Sequence, residues 1–201
     1  MSELNRMLSG KLYDASAPEL AAARNKAHRL CRLYNSIIDE EKNQRSKLIN
    51  ELLGYEPKNC HIAPTFNCDY GVNIELGQNF FANFDCIILD VCQVRIGDNV
   101  MFGPRVCVYT AGHPLDAETR NTQLEFGTPV TMGNSVWVGG NTIILPGVTI
   151  GDNTVIGSGA VVTKSIPANV LAVGNPCQIL RSITEEDKTY WDQLKSEYYA
   201  V

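Results

Sequence analysis

Val130-Thr-Met-Gly-Asn-Ser-Val-Trp-Val-Gly-Gly-Asn-Thr-Ile-Ile-Leu-Pro-Gly-Val-Thr-Ile-Gly-Asp-Asn-Thr-Val-Ile-Gly-Ser-Gly-Ala-Val-Val162 carries an aliphatic residue at every sixth position, as Met132, Val138, Ile144, Ile150, Ile156 and Val162. A second column runs two residues ahead of it, as Val130, Val136, Thr142, Val148, Thr154 and Ala160. Small and β-branched side chains at alternate positions suit short strands that turn the same residues inward on every pass. Between them fall Gly-Asn-Ser, Gly-Gly-Asn, Pro-Gly and Gly-Asp-Asn, residues that turn a chain within a few atoms. A fixed short period is the signature of a repeat architecture. The object implied is a solenoid of very short strands joined by corners.

The same pattern runs upstream in weaker form through Ile74-Glu-Leu-Gly77, Val94-Arg-Ile-Gly97 and Met101-Phe-Gly-Pro104, so the coil is expected to begin near residue 57. It stops between Val108 and Val130. The segment 109–129 shows no helical or alternating pattern and reads as a loop thrown out of the solenoid wall. Ahead of the coil, Ser16-Ala-Pro-Glu19 has the form of a capping box before the apolar series Leu20, Ala23, Ala27, Leu30, Tyr34 and Ile37, which predicts a helix. A second helix is predicted from about Glu40 to Leu53, with Gly54 as its stop. A third opens at Thr184-Glu-Glu-Asp187, with Trp191, Leu194 and Tyr198 on one side. The expected organisation is a helical region over 1–56, a coil over 57–182 with the loop 109–129, and a helix over 183–201, so that helices close both ends of the stack.

Composition narrows the partners. A chain of 201 residues with 44% hydrophobic content can bury one core, and a net charge of −5 without basic runs lacks the footprint of a nucleic-acid binder. No apolar stretch is long enough to span a bilayer and no secretory leader is visible, so the cytoplasm is the expected location. The seven cysteines form no Cys-x-x-Cys pair and read as free thiols. Cys86 and Cys92 read as small inward-facing residues, and Cys60-His61 lacks the clustered ligands of a zinc site.

Few residues remain for chemistry. Of three histidines, His28 falls within the first helix and His61 at the entry to the coil, while His113 stands in Gly112-His113-Pro114 on the loop. Loops held by rigid scaffolds carry a large share of catalytic groups, and imidazole is the usual base near neutral pH. Asn83 lies between aromatic residues without the glycine that precedes corner residues such as Asp98, Asn99, Asp152 and Asn153. Asp69 and Asp90 place carboxylates in otherwise apolar surroundings. Trp137, between the inward Val136 and Val138, is expected to face outward, toward a second subunit or a ligand.

Taken together, the hexapeptide series, the Gly-His-Pro loop, Pro64-Thr-Phe-Asn-Cys-Asp-Tyr-Gly71, Asn79-Phe-Phe-Ala-Asn-Phe-Asp85, Gly10-Lys-Leu-Tyr13 and Gly174-Asn-Pro-Cys-Gln-Ile-Leu-Arg181 resemble the hexapeptide-repeat sugar O-acetyltransferases, the group of the maltose and galactoside enzymes. The resemblance runs nearly from end to end. It implies a mainly β fold, a left-handed parallel β-helix, assembled as a homotrimer with active sites between subunits. It implies acetyl-CoA as donor, a sugar hydroxyl as acceptor and no metal. By position it makes His113 the general base, Glu125 its orienting partner and Asn83 the group that holds the acceptor hydroxyl or the tetrahedral intermediate. Asp14, Arg24 and Asp69 become sugar contacts, and Asp90 is assigned to the same acceptor side. The Gly140 N–H is expected at the thioester oxygen, and Trp137, Ser158, Thr163, Lys164, Gln178 and Arg181 along the cofactor, with Gln178 standing where a basic residue is common. Three other readings compete: an antibiotic O-acetyltransferase on the same coil, a zinc hydrolyase that needs three converging histidines, and a non-catalytic trimeric scaffold.

Overall fold

The computed structural model describes residues 1–37 and 42–200. It is mainly β, a left-handed parallel β-helix of about six turns built from three flat stacks of parallel strands. One stack holds His61–Ile62, Phe81–Ala82, Met101–Phe102, Trp137–Val138, Val155–Ile156 and Val170–Val173, and is called here the aromatic face. The next in chain order, the aliphatic face, holds Phe66–Cys68, Cys86–Leu89, Cys107–Tyr109, Ile143–Ile144 and Val161–Val162. The third, the polar face, holds Ile74–Leu76, Val94–Ile96, Val130–Met132 and Thr149–Ile150.

Both sequence columns point inward. Met132, Val138, Ile144, Ile150, Ile156 and Val162 are buried, as are Val130, Val136, Thr142, Val148, Thr154 and Ala160. Phe80 meets Phe102 edge to face at 5.2 Å in the wider early coils. The expected corners form as well. Asn99 and Asn153 take left-handed φ of 57° and 51°, which asparagine tolerates, and Asp152 Oδ1 accepts the Asn134 N–H of the coil below at 2.7 Å. Close stacking leaves no room at some corners: a Cβ on Gly103 would lie 2.5 Å from the Gly140 nitrogen.

Departures from the six-residue period all fall on one edge of the prism. In the last coils Trp137 pairs with Val155 and Ile143 with Val161, eighteen residues on; in the first coils His61 pairs with Phe81 and Phe66 with Cys86, twenty on. The two extra residues of each early coil lie between the aliphatic and polar faces, in the corners 69–73 and 90–93. The long insertion 110–129 leaves the third coil at that same edge.

Among the described residues five helices accompany the coil: α1 (Glu3–Leu8), α2 (Pro18–Asn35), α3 (Lys42–Leu53), α4 (Ala117–Asn121) and α5 (Glu185–Tyr199). Ala27, Leu30, Cys31 and Tyr34 of α2 and Ile49, Leu52 and Leu53 of α3 join Ile62, Phe66 and Cys68 in one core, which covers the first coil. Residues 40 and 41 of the second predicted helix lie outside the described residues; the helix ends at Gly54 as expected, with φ 79°.

Three expectations are corrected. Ser16 does not cap α2; its N–H and hydroxyl both donate to Asp14 Oδ1, and Ala17 precedes Pro18 at the helix start. The segment 109–129 has structure of its own. Asp116 caps α4, and Leu124–Gly127 forms an antiparallel sheet with Ala111–Gly112 on one side and Tyr13–Asp14 on the other. The C-terminal helix does not seal the coil, because none of its residues is buried; Gln178–Ser182 turns back antiparallel on Val170–Val173 and ends the stack.

Candidate active site

The edge between the aliphatic and polar faces gathers most of the chemistry. Gly112 pairs with Phe126 and Ala111 with Gly127, and the exposed His113 follows directly on this short strand. On the other side of the same strand Tyr13 pairs with Glu125, and the Tyr13 hydroxyl donates to Glu125 Oε2 at 2.8 Å. Burial and the Glu125 carboxylate push the Tyr13 phenol upward, so it stays a donor. Glu125 is therefore held by Tyr13, on the strand that pairs with Ala111–Gly112 just ahead of His113.

Below this strand lies the corner 69–73. His28 Nε2 stands 3.9 Å from Asp69 Oδ1, and Arg24 Nη1 donates to the Ala15 carbonyl at 3.1 Å and to the Tyr70 hydroxyl at 3.3 Å. Burial raises the Asp69 carboxyl above its usual range, opposed by the charges of His28 and Arg24. Asp14 is exposed near this cluster and accepts from Ser16, while its N–H donates to Glu3 Oε2 at 2.7 Å.

Asp90 differs from the expectation of an acceptor contact. It is fully buried, and its Oδ1 accepts the Asp69 and Tyr70 N–H groups at 3.0 and 2.9 Å while Oδ2 faces the Asn73 N–H at 3.4 Å. Its carboxylate is spent on main chain, out of reach of a ligand. Burial pushes its pKa up to about 7, where an unfolded chain would sit near 3.9. Between these values the folded chain holds a proton that the unfolded chain lacks, so this group's stabilising contribution is complete below about pH 4 and lost as pH rises through about 7. Thermal unfolding of wild type and Asp90→Asn between pH 5 and 8 is expected to show wild type gaining on the variant as pH falls; parallel curves would contradict the assignment.

The opposite edge, between the aromatic and aliphatic faces, holds Asn83, Gly140 and Ser158. Asn83 is half-buried; its main-chain N–H donates to Phe102 O at 3.0 Å and its Oδ1 accepts the Phe84 N–H at 2.8 Å, which leaves its amide nitrogen directed away from that bond. The Gly140 N–H donates to no group among the described residues, whereas its carbonyl accepts Gly159 N–H at 2.9 Å. Trp137 faces outward as expected, 52% exposed, in one ladder with Phe81 and Met101. Thr163 and Lys164 are exposed on the His113 edge.

The two edges are separated by the aliphatic strands. Cys86–Leu89 alone spans roughly 13 Å at the usual rise per residue. A single chain therefore does not bring His113 and Asn83 onto one reacting atom. A cleft of about 680 Å³ between α3 and the first strands is lined by His61, Phe81, Phe84, Cys60 and Asn50 and, of the expected residues, takes in Asn83.

Arg181 is also placed differently from its expectation. Its guanidinium makes two hydrogen bonds to Asp187, at 2.6 and 2.8 Å, which hold that carboxyl down at about 2. A phosphate at this place would have to displace Asp187, which also accepts the Thr184 N–H at the start of α5. Gln178 is exposed on the same antiparallel strand. Among the described residues no three His, Cys, Asp or Glu side chains gather to hold a metal ion, and no helix is long and apolar enough to cross a membrane. Tyr13, Tyr70 and Thr110 were missed in the sequence; only the pairing of distant strands brings them to this edge.

Two family models match, the maltose acetyltransferase hexapeptide capping motif over residues 6–55 and the bacterial transferase hexapeptide repeat over residues 129–164. Galactoside O-acetyltransferase of Escherichia coli is 40% identical over 191 residues, covering 95% of this chain and 94% of that protein. A maltose O-acetyltransferase structure from Clostridium difficile 630 is 50% identical with a TM-score of 0.90, covering 92% of this chain and 98% of the other. A hexapeptide-repeat acetyltransferase of Vibrio cholerae in complex with acetyl coenzyme A is 37% identical with a TM-score of 0.85, over 92% and 100% of the two chains. With its coil, its helical cap and its relatives in agreement, the chain belongs to the hexapeptide-repeat acetyltransferases.

Proposed function

We propose that the protein transfers an acetyl group from acetyl-CoA to a sugar hydroxyl, at sites formed between copies of the chain in a homotrimer. The observation that carries this reading is the division of the site residues between two edges. His113, Glu125, Thr163, Lys164 and the cluster Asp14, Arg24 and Asp69 lie on one; Asn83, Gly140 and Ser158 lie on the other. One edge of a copy set against the opposite edge of the next makes a complete set, and three copies close the ring.

The outer surface supports the same assembly. The aromatic face exposes Phe81, Met101 and Trp137, and the aliphatic face turns out Ile87, Cys107, Ile143 and Val161. The polar face presents Glu75, Arg95, Thr131 and Thr149, with Arg95 Nε 3.0 Å from Glu75 Oε2. Two apolar faces and one polar face suit a subunit that meets a neighbour on each of two sides and water on the third.

Acetyl-CoA supplies an activated thioester carbonyl. His113 takes the proton from the acceptor hydroxyl as its oxygen bonds to that carbonyl carbon, and the same proton passes to the departing thiolate when the C–S bond breaks. Glu125, fixed by Tyr13, is assigned to orient the imidazole once the acceptor is bound. The free Gly140 N–H and the Asn83 amide donate where negative charge collects. Arg24, Asp69 and Asp14 offer mixed donors and acceptors that match a ring bearing several hydroxyls. Of the two cations assigned to the cofactor, Lys164 is exposed and open to a CoA phosphate, while Arg181 is held by Asp187. Lys164→Ala is expected to raise the KM for acetyl-CoA several-fold with kcat little changed, read from initial rates; an unchanged KM would take Lys164 out of the site.

The test is free-thiol release from acetyl-CoA with maltose, glucose, a thiogalactoside and an antibiotic as acceptors, with His113→Ala as control. Sugar-dependent release that vanishes in the variant is expected. Release only with the antibiotic would replace the sugar reading, and acetyl-CoA binding without release would leave the acceptor to be found.

A further inference from the structure

Among the described residues four polar side chains are fully buried, and two of them, Asp90 and Thr110, stack on the edge that carries His113. Asp90 holds the corner below it through the Asp69 and Tyr70 N–H groups, and the Asn73 side-chain amide donates back to the Asp90 carbonyl at 2.7 Å. Thr110 performs the same office one coil higher. Its hydroxyl donates to the Leu89 carbonyl at 2.7 Å and accepts the Cys92 N–H at 2.9 Å, so it grips the corner of Asp90 from both ends. Its carbonyl accepts the Thr128 N–H at 2.9 Å, which ties together the two ends of the insertion that bears His113. Thr142 and Thr154, the other two, lie inside the regular coils and bond only to neighbouring carbonyls.

We propose that Asp90 and Thr110 form a buried polar column that sets the acceptor wall, Asp69 with Tyr70, in register with the root of the His113 loop, and that both act as positioning residues for acetyl transfer. The inference rests on the acetyltransferase reading given above. The regular corners meet their main-chain donors from side chains at the surface, Asp98, Asn134 and Asp152 each accepting the N–H of the corner one coil earlier. The corners 69–73 and 90–93 have two extra residues each and a twenty-residue insertion above them, and their surplus main-chain donors have to be met by buried side chains. An apolar residue at either place would leave donors unmet and let the corner shift, and displacements of about 1 Å near a reacting centre can cost as much as about 10²-fold in rate. The groups that face Asp90 from the packed elements are Asp69, Cys68 and Cys31. None is a cation, so main-chain donors alone hold the carboxylate.

The experiment measures kcat and the KM values for acceptor and acetyl-CoA in wild type, Thr110→Val, Thr110→Ser and Asp90→Asn, with melting temperatures alongside. Thr110→Val keeps the shape and loses both hydroxyl bonds; its kcat is expected to fall about tenfold, and Thr110→Ser, which keeps the hydroxyl, to recover most of it. Asp90→Asn is expected to raise the acceptor KM about five- to tenfold while the acetyl-CoA KM stays within twofold. Wild-type kinetics in Thr110→Val and Asp90→Asn would overturn the proposal. So would a Thr110→Ser as impaired as Thr110→Val, or a common decline of every parameter in step with melting temperature. If Thr110→Val does not fold, the split between the two KM values in Asp90→Asn decides. Absence of any His113-dependent transfer in wild type would instead sink the acetyltransferase reading, and the column's catalytic role with it.

Discussion

His113→Ala is expected to lower kcat by about 10²- to 10⁴-fold, the usual contribution of a positioned general base, with the KM for acetyl-CoA changed by less than about twofold. The imidazole is exposed and bonds to nothing among the described residues, so removing it leaves no cavity and no unmet buried group. Melting temperature should therefore stay near that of wild type. This separates a chemical effect from a folding effect without a further control. His113→Gln keeps a polar side chain of similar length but cannot take the proton, and it is expected to be as inactive as the alanine variant. Full activity in either, at saturating acceptor and acetyl-CoA, would remove His113 from the reaction.

Asn83→Ala is expected to lower kcat by about 10²- to 10³-fold, the cost of losing one preorganised donor to developing negative charge. The side chain also accepts the Phe84 N–H at 2.8 Å, so a modest loss of stability should accompany it. Asn83→Asp tests the sign of the charge. It keeps the acceptor for Phe84 and replaces the amide donor by an anion, so it should be no more active than alanine. A rate within about threefold of wild type in Asn83→Ala would contradict the assignment.

Much of the coil was legible because burial and sequence period are the same fact seen twice. Every residue of the two quoted columns is buried, and the Gly-Asp-Asn corners form where their composition placed them. The upstream coils looked weaker for a definite reason. Corners 69–73 and 90–93 are two residues longer, so the inward residues keep their faces while the spacing changes. What could not be read was whatever depends on pairing between distant strands. Leu124–Gly127 finds partners at Ala111–Gly112 and at Tyr13–Asp14, so a segment with no pattern of its own becomes the centre of a three-stranded sheet. Asp90 looked like a free carboxylate because nothing local announces that the corner twenty residues earlier will supply its donors. Arg181 looked like a free cation although Asp187, six residues on, takes both arms of its guanidinium once α5 turns back. The outward Trp137 was legible from alternation alone, since its neighbours Val136 and Val138 are both fully buried.

The central claim is that each active site is assembled from opposite edges of two copies of the chain. Co-expression of His113→Ala with Asn83→Ala, each inactive alone, tests it most directly. In a randomly mixed three-membered ring about a quarter of the sites receive His113 from one variant and Asn83 from the other, because each chain still carries one intact edge. Activity should therefore rise from the background of either parent to about a quarter of wild type, in an amount that follows the mixing ratio. Mixed oligomers that remain as inactive as their parents would contradict the shared site.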